Sequence, residues 1–499
     1  MVLGMSITWY FSAISGNWTI TSAAPDAGTC SFSGNVVNCD FEIPAGATRT
    51  VTVEMSPYGG LGTTDRFGAV MQVELDEDQN GTNEALYTYE TEDPFVIECP
   101  YIIDPNAQLG MQVHLPILSF KGMDTCETWI EIQNVGCLAV KAVLVTWGEA
   151  GFCPPQAAGP LKVECTGLLK PGTTWNLIGD QIPDGSKSGM LFRFSTKQLS
   201  DVGLDATFGF DDILADLMCE TLFFGVVGDA DDYRRFKKAY NEGGNFGGIP
   251  QDIASGADDG GILAVDVLRD CPSPQAAGVR VTSKYNGIAG SHLGAFDPVY
   301  GGYMYYVPLV YADLAEFNSW IYIQNGGLEC SSVEIWFKDQ EECLRATVCE
   351  VSTLAPGETL QVDPNDCVNQ FQGSAWIRTS QPMAVAVDIT GRDVLMTYVG
   401  EPAELNYTFS PNQATYTPGN QVGFGPLIYS EYQGWDSGIQ VQNLSAIQAA
   451  KVKVYFLDRS GDVITTLMDW ICPRGSQTFF LPVVHDLPGN WVGSVRVES

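Results

Sequence analysis

Basic side chains are scarce in this chain. Its 499 residues include 25 Lys and Arg against 60 Asp and Glu, so the formal charge is 25 − 60 = −35. Binding to nucleic-acid phosphates or to an anionic membrane requires a net basic patch, and this balance argues against both partners. With only 3 histidines, the chain also has little material for His-based metal or acid–base chemistry.

Signatures of catalysis and of membrane insertion are missing as well. The sequence contains no nucleophile elbow, zinc-protease motif, phosphate loop or dinucleotide fingerprint, so we expect a protein that is not an enzyme. No apolar run reaches the ~18 residues needed to cross a bilayer, and we expect no transmembrane segment. Residues 1–16 carry no Lys or Arg, which suggests that an export signal is missing or that the chain is part of a longer precursor.

The 14 cysteines indicate an oxidising location. None forms a Cys-x-x-Cys pair, which argues against zinc ribbons and thioredoxin-like sites. Three pairs lie close together across turns, and such spacing suits disulfides in an extracellular or cell-surface protein. The alternative is a set of buried free thiols in a cytosolic protein. The predicted disulfides are Cys30–Cys39, Cys153–Cys165 and Cys343–Cys349.

One module recurs three times. The segment Trp-Ile-Glu-Ile-Gln-Asn at residues 129–134 recurs as Trp-Ile-Tyr-Ile-Gln-Asn at 320–325 and, more loosely, as Gly-Ile-Gln-Val-Gln-Asn at 438–443. Each copy follows a proline and precedes an alternating strand, a Pro-containing turn and a strand that begins with Gly, all at near-constant spacing. Period-two alternation bounded by Gly, Pro, Asn and Asp is typical of half-buried antiparallel strands. The sequence therefore predicts an all-β fold of tandem immunoglobulin-like β-sandwich domains, with the repeated Gln-Asn pair in the core and turns.

Four segments follow from this pattern. The third copy stops before the strands that continue the second copy, which leaves an open sheet edge. Truncation would explain this; the alternative is strand donation by a neighbouring subunit alongside residues 493–498. The segments are an N-terminal immunoglobulin-like domain (1–97), a first repeat (98–299) with a small α-helical insertion (about 200–275), a second repeat (300–420) and a third, incomplete repeat (421–499).

The N-terminal segment carries the one family resemblance. Cys30 and Cys39 flank a short hairpin, which is followed by the strand Ala-Gly-Ala-Thr-Arg-Thr-Val-Thr-Val at residues 45–53. Over residues 15–85 this series resembles the Ig-like "conserved repeat" domains of large bacterial cell-surface proteins. The resemblance implies an extracellular structural or adhesive role and gives no catalytic residues to carry over.

An acidic loop in the same segment is a candidate Ca²⁺ site. Oxygen ligands at alternating positions, with a glycine that makes the tight turn, can wrap this cation. The flanking residues are typical of strands rather than of EF-hand helices. A solvated acidic hairpin with an Asn-Gly turn is the alternative. The candidate ligands are Asp76, Asp78, Asn80, Thr82 through its backbone carbonyl, and Glu84.

The insertion has helical spacing at 211–224 and again after Asp229, which is a candidate N-cap, with a stop at residues 243–244. Its second helix concentrates basic residues in an acidic chain. They form either a solvated face or a docking element for an acidic surface of a neighbouring copy. The basic residues are Arg234, Arg235, Lys237 and Lys238. In this region Cys271 could pair with Cys219, Cys99 or Cys126.

These features predict an extracellular structural protein, the building block of a cell-surface layer, sheath or filament that assembles from copies of itself as a homo-oligomer. The acidic surface would keep monomers soluble and favour divalent cations. One alternative is an adhesin or glycan-binding protein with an aromatic platform formed by Tyr300, Tyr303, Tyr305 and Tyr306. A second alternative is a secreted hydrolase that uses the insertion.

Overall fold

A computed structural model describes twenty-five stretches of the chain. These are residues 2–13, 17–25, 28–33, 36–44, 51–58, 65–76, 85–90, 95–97, 109–110, 112–119, 126–136, 140–148, 153, 162–167, 169–170, 172–178, 181–182, 185–195, 230–242, 263–273, 278–297, 301–391, 394–403, 422–484 and 486–499.

The described chain is all-β and built from antiparallel sheets, which confirms the predicted fold class. Period-two alternation drives the strands: in Glu127–Asn134 every second side chain is buried and the others face outward. The described part of the insertion contains one α-helix, α1 (Ala230–Glu242), which ends where the sequence predicted. The other predicted helix, at 211–224, lies outside the described residues. No helix in the described stretches has the length and apolar character to span a bilayer.

The described residues of the N-terminal segment form eight strands. They form a six-stranded sheet in the order β3-β4-β1-β6-β7, with β8 also pairing with β6, and a two-stranded sheet β2-β5. Cys30 and Cys39 lie opposite each other on β3 and β4, and their disulfide confirms that prediction. The strands are β1 (Val2–Ala13), β2 (Asn17–Pro25), β3 (Thr29–Ser33), β4 (Val36–Pro44), β5 (Val51–Tyr58), β6 (Asp65–Asp76), β7 (Ala85–Glu90) and β8 (Phe95–Ile97).

The remaining strands fall into three groups, which we call the first, second and third repeat. The first repeat comprises β9 (Leu109–Gly110), β10 (Gln112–Leu115), β11 (Glu127–Asn134), β12 (Val140–Trp147), β13 (Lys162–Cys165), β14 (Thr174–Leu177), β15 (Ser188–Ser195), β16 (Leu263–Pro272), β17 (Arg280–Asn286) and β18 (Ile288–Ala289). The second comprises β19 (Tyr303–Ala312), β20 (Asn318–Asn325), β21 (Ser331–Asp339), β22 (Thr347–Leu354), β23 (Thr359–Val362), β24 (Phe371–Thr379), β25 (Met383–Gly391), β26 (Val394–Val399) and β27 (Glu401–Pro402). The third comprises β28 (Val422–Ser430), β29 (Gly438–Gln442), β30 (Ala450–Leu457), β31 (Val463–Ile471), β32 (Ser476–Phe480) and β33 (Trp491–Glu498).

The first two repeats share one topology. In the first repeat, sheet one has the order β13-β12-β15-β10-β18 and sheet two the order β14-β11-β16-β17, with β9 also on β16. In the second repeat the orders are β22-β21-β24-β19-β27 and β23-β20-β25-β26, so the same positions are occupied nine strands later. Apolar side chains from both sheets of a repeat form its core, as in a β-sandwich.

The third repeat keeps sheet one, in the order β31-β30-β33-β28, but sheet two consists only of β29 and β32 in the described residues. The expected free edge alongside residues 493–498 is wrong, because β33 pairs with β28 on one side and β30 on the other. The open edge belongs to β29. Its counterpart β20 pairs with both β23 and β25, whereas β29 pairs only with β32 within the described stretches.

Candidate functional site

The asparagine of each Ile-Gln-Asn strand holds a turn. Its side-chain oxygen accepts a hydrogen bond from the backbone N–H two residues later, at 3.0 Å for Asn134, 2.8 Å for Asn325 and 3.0 Å for Asn443. The amide nitrogen then donates to a main-chain carbonyl, as from Asn325 to Leu354 at 2.8 Å. The repeated asparagine thus has the structural role that the sequence predicts.

The preceding glutamine has a different role: in two copies it crosses to the previous repeat. The buried Gln324 donates through Nε2 to the carbonyl of Gly189 in the first repeat, at 3.0 Å. Gln442 donates in the same way to Ala375 in the second repeat, at 3.1 Å. The equivalent Gln133 of the first repeat is exposed. These contacts identify the junctions between repeats as the candidate functional site.

Disulfides also cross both junctions. Cys153 of the first repeat bonds to Cys330 of the second, and Cys343 of the second bonds to Cys472 of the third. The bonded residues are separated by 177 and 129 positions in the sequence. Successive repeats are therefore joined covalently at a second point besides the polypeptide backbone.

Two predicted disulfides are consequently wrong. Cys153–Cys165 does not form, and Cys165 is disulfide-bonded elsewhere. Cys343–Cys349 does not form either, because the turn that carries Cys343, between β21 and β22, lies against the third repeat. Cys349, on β22, instead bonds to a cysteine that follows the short helix Pro364–Asp366.

Two further bonds between described cysteines lie within single repeats. Cys349 pairs with Cys367, and Cys271 pairs with Cys126, one of the three partners that the spacing left open. No cysteine in the described stretches carries a free thiol.

A buried lysine lies in the first junction. Lys237 of α1 donates through Nζ to the carbonyl of Gly326, and burial lowers the pKa of Lys237 to about 7. His114 on β10 is also fully buried beside it. Burial, followed by the charge of Lys237, lowers the pKa of His114 well below its usual value.

The helix α1 therefore packs against the first and second repeats of its own chain. Arg234 forms an ion pair with Glu329 of the second repeat at 3.2 Å. The prediction that all four basic residues form a surface patch is wrong for Lys237, because the amphipathic helix packs that side of itself against the sheet. Arg235 and Lys238 are exposed.

Aromatic side chains fix the helix on the first repeat. Phe192 of β15 contacts Phe236 and Tyr240 of α1 edge-on, each with ring centroids 5.1 Å apart. Tyr233 packs against Trp147 at 4.8 Å, also edge-on. The helix thus covers the outer surface of sheet one, which faces away from the core.

A buried ion pair completes the first junction. Arg269 of β16 and Asp388 of β25 form an ion pair, and each side chain is 3% exposed. The second carboxylate oxygen of Asp388 accepts from Thr397 at 2.7 Å, and Thr397 contacts Ser283 of the first repeat at 2.8 Å. If the two repeats moved apart, each buried charge would lose its partner, which is strongly unfavourable. The ion pair therefore favours one relative placement of the two repeats.

The second junction uses the equivalent surface of the second repeat. Tyr306 and Trp376 on sheet one are only 8% and 6% exposed, because the third repeat covers them. The guanidinium of Arg474 lies 4.8 Å from the Trp376 ring centroid, and the Tyr306 hydroxyl donates to the carbonyl of Leu444 at 3.3 Å. Gln440 and Gln442 on the outer surface of β29 both donate to carbonyls of the second repeat.

The other predicted sites have separate outcomes. The tyrosine platform is wrong for Tyr305 and Tyr306, which are buried in the second repeat and its junction; Tyr303 is half-buried and Tyr300 lies outside the described residues. Asp76 ends β6. The other four candidate Ca²⁺ ligands, Asp78, Asn80, Thr82 and Glu84, lie outside the described residues. Across the described stretches, no three His, Cys, Asp or Glu side chains cluster as a metal site.

Comparison with known proteins assigns no family. No protein-family model matches the chain, and no curated protein matches its sequence. The resemblance of residues 15–85 to Ig-like surface domains stays a prediction.

Proposed function

We propose that this chain is an extracellular structural protein whose repeats form a covalently fastened array, the building block of a cell-surface layer, sheath or filament. The observation that carries the proposal is the pair of disulfides across both junctions, Cys153–Cys330 and Cys343–Cys472. A cross-link between repeats limits hinge motion between them and resists mechanical separation.

The junctions support the same role. Their polar groups are paired across the boundary: Gln324, Gln442 and the Arg269–Asp388 ion pair each fix one relative placement of two repeats. Such groups suit a stiff array better than a flexible string of domains. Stable disulfides favour an oxidising, extracellular setting, and the predicted Ig-like nature of the repeats and the resemblance of residues 15–85 agree with that setting.

Calcium has a defined place in this proposal. The loop that begins at Asp76 connects β6 to β7. It would bind Ca²⁺ and so stiffen the N-terminal segment. With a net charge of −35, the chain also favours divalent cations as bridges between copies.

Electron microscopy of the native material, with and without a calcium chelator, tests this function. We expect regular layers or filaments at the cell surface whose subunits contain rod-like arrays of constant length. Solution scattering of the purified chain, at concentrations too low for assembly, supplies the control: its maximum dimension should stay constant until a reductant releases the junction disulfides. A chain found only inside cells, or flexible while fully oxidised, would contradict the proposal.

A further inference from the structure

The outer surface of sheet one in the third repeat is exposed and carries aromatic and basic side chains. Alternation along the strands directs Val452, Val454 and Val495 into the core, so their neighbours face outward. We call this surface the open face. It consists of Phe424, Lys451, Lys453, Tyr455, Trp470 and Arg496.

Cations and rings are stacked on the open face. The Arg496 guanidinium lies 4.4 Å and the Lys453 Nζ 4.6 Å from the ring centroid of Tyr455. Lys451 lies 5.9 Å from the ring of Trp470, which is 63% exposed. Phe424 is 74% exposed, and a large apolar side chain this open is typical of an interaction surface.

The same surface is covered in the other two repeats. In the second repeat, Tyr306 of β19 lies opposite Trp376 of β24. In the third repeat, Phe424 of β28 lies opposite Arg496 of β33, so Tyr306 and Phe424 occupy equivalent positions. Tyr306 is buried by the third repeat. In the first repeat, α1 and the second repeat cover the surface. The open face is thus a docking surface of the type that this fold already uses twice.

The covering element is equally well defined. In both junctions it is the outer surface of sheet two, the side that carries Gln324 or Gln442. The first repeat presents the equivalent surface, which we call the acidic face. Trp129 is 39% exposed at its centre, beside the exposed Glu131 and Gln133. Neighbouring strands add the ion pairs Asp266–Lys284 and Asp270–Arg280.

We propose that the open face of one copy binds the acidic face of a second copy of this chain. The contact is heterologous, so each copy uses both faces and assembly continues head to tail into a filament. This inference deepens the proposed function and rests on it: it names a second copy as the partner and the third and first repeats as the contacting elements.

The charges of the two faces are complementary. The open face carries Lys451, Lys453 and Arg496 against one acid, Glu498, which gives 3 − 1 = +2. The acidic face gives 2 − 4 = −2, from two cations, Lys284 and Arg280, and four carboxylates, Glu127, Glu131, Asp266 and Asp270. In a chain of charge −35, a surface with a net positive charge favours an acidic surface as its partner.

Two single variants of the full chain test the contact. Phe424→Glu places an acid on the open face, and Trp129→Lys places a cation on the acidic face. Each should raise the protein concentration at half-assembly by more than about tenfold in sedimentation and light scattering, because aromatic anchors dominate such contacts. Leu344→Glu is the matched control: Leu344 is 91% exposed but lies on neither face, and its variant should assemble like the wild type.

Mixing the variants gives the decisive result. Each keeps one intact face, so a mixture should form a 1:1 dimer and nothing larger, which also shows that both variants are folded. A wild-type chain that stays monomeric, or a mixture that stays monomeric, would overturn the inference. If the monomer nevertheless keeps its junction disulfides and constant length, the proposed array stands and only the docking contact is wrong.

Discussion

Replacing Lys237 by methionine should change how stability depends on pH. Burial lowers the pKa of this ammonium from 10.5 to about 7, which corresponds to about 5 kcal/mol at 1.36 kcal/mol per pH unit. Between these two values the unfolded chain binds a proton at Lys237 and the folded chain does not. The stability of the wild type therefore rises with pH through this range, by about 1.4 kcal/mol per unit from this group.

Methionine keeps the volume and removes the titration. It also leaves the carbonyl of Gly326 without its donor, which costs about 1–3 kcal/mol. At pH 6 the Lys237→Met variant should thus be more stable than the wild type by roughly 2–4 kcal/mol, and by pH 10 less stable.

Urea unfolding at pH 6, 8 and 9.5, followed by tryptophan fluorescence, measures the difference. The exposed neighbour gives the control, since Lys238→Met should keep the wild-type dependence. His114 should lower the stability further on acidification. Below its usual pKa of 6.5, His114 binds a proton in the unfolded chain but not in the folded chain. Equal pH dependence in the wild type and Lys237→Met would refute the reasoning.

Two further substitutions test the first junction. Asp388→Ala leaves Arg269 buried without its partner and should lower the free energy of unfolding by about 3–5 kcal/mol, and Arg269→Met in the same chain should restore most of it, as read from urea midpoints. Gly357→Ala places a Cβ 2.3 Å from the Trp147 ring at a φ of +84°, so the melting temperature should fall. Gly278→Ala, at a similar φ of +82° in open space, should lower the melting temperature less. Equal decreases in the two variants would exclude packing on Trp147 as the cause.

Local patterns predicted the local structure. Alternation identified strands such as β11, in which one face is buried and the other exposed, and the N-cap and Gly-Gly stop placed the ends of α1 (Ala230–Glu242). The repeated landmarks correspond to equivalent strands in all three repeats. Cys30–Cys39 was predictable for the same reason, since a hairpin brings its two strands together without help from the rest of the chain.

Contacts between repeats could not be read from the sequence. Cys153 and Cys343 have nearby cysteines, but packing of whole repeats brings them to partners more than 100 positions away. The sequence pattern predicts a core or turn position for Gln324, whereas its side chain contacts the previous repeat. One signal was present: alternation with Ile321 and Ile323 directs that glutamine away from the core of its own repeat, which argues against a core position.

The most direct test of the covalently joined array is a peptide map of the native protein digested without reductant. The account predicts cross-linked peptides that contain Cys153 with Cys330 and Cys343 with Cys472. Mass spectra showing Cys153 with Cys165 and Cys343 with Cys349, or free thiols at these positions, would contradict it.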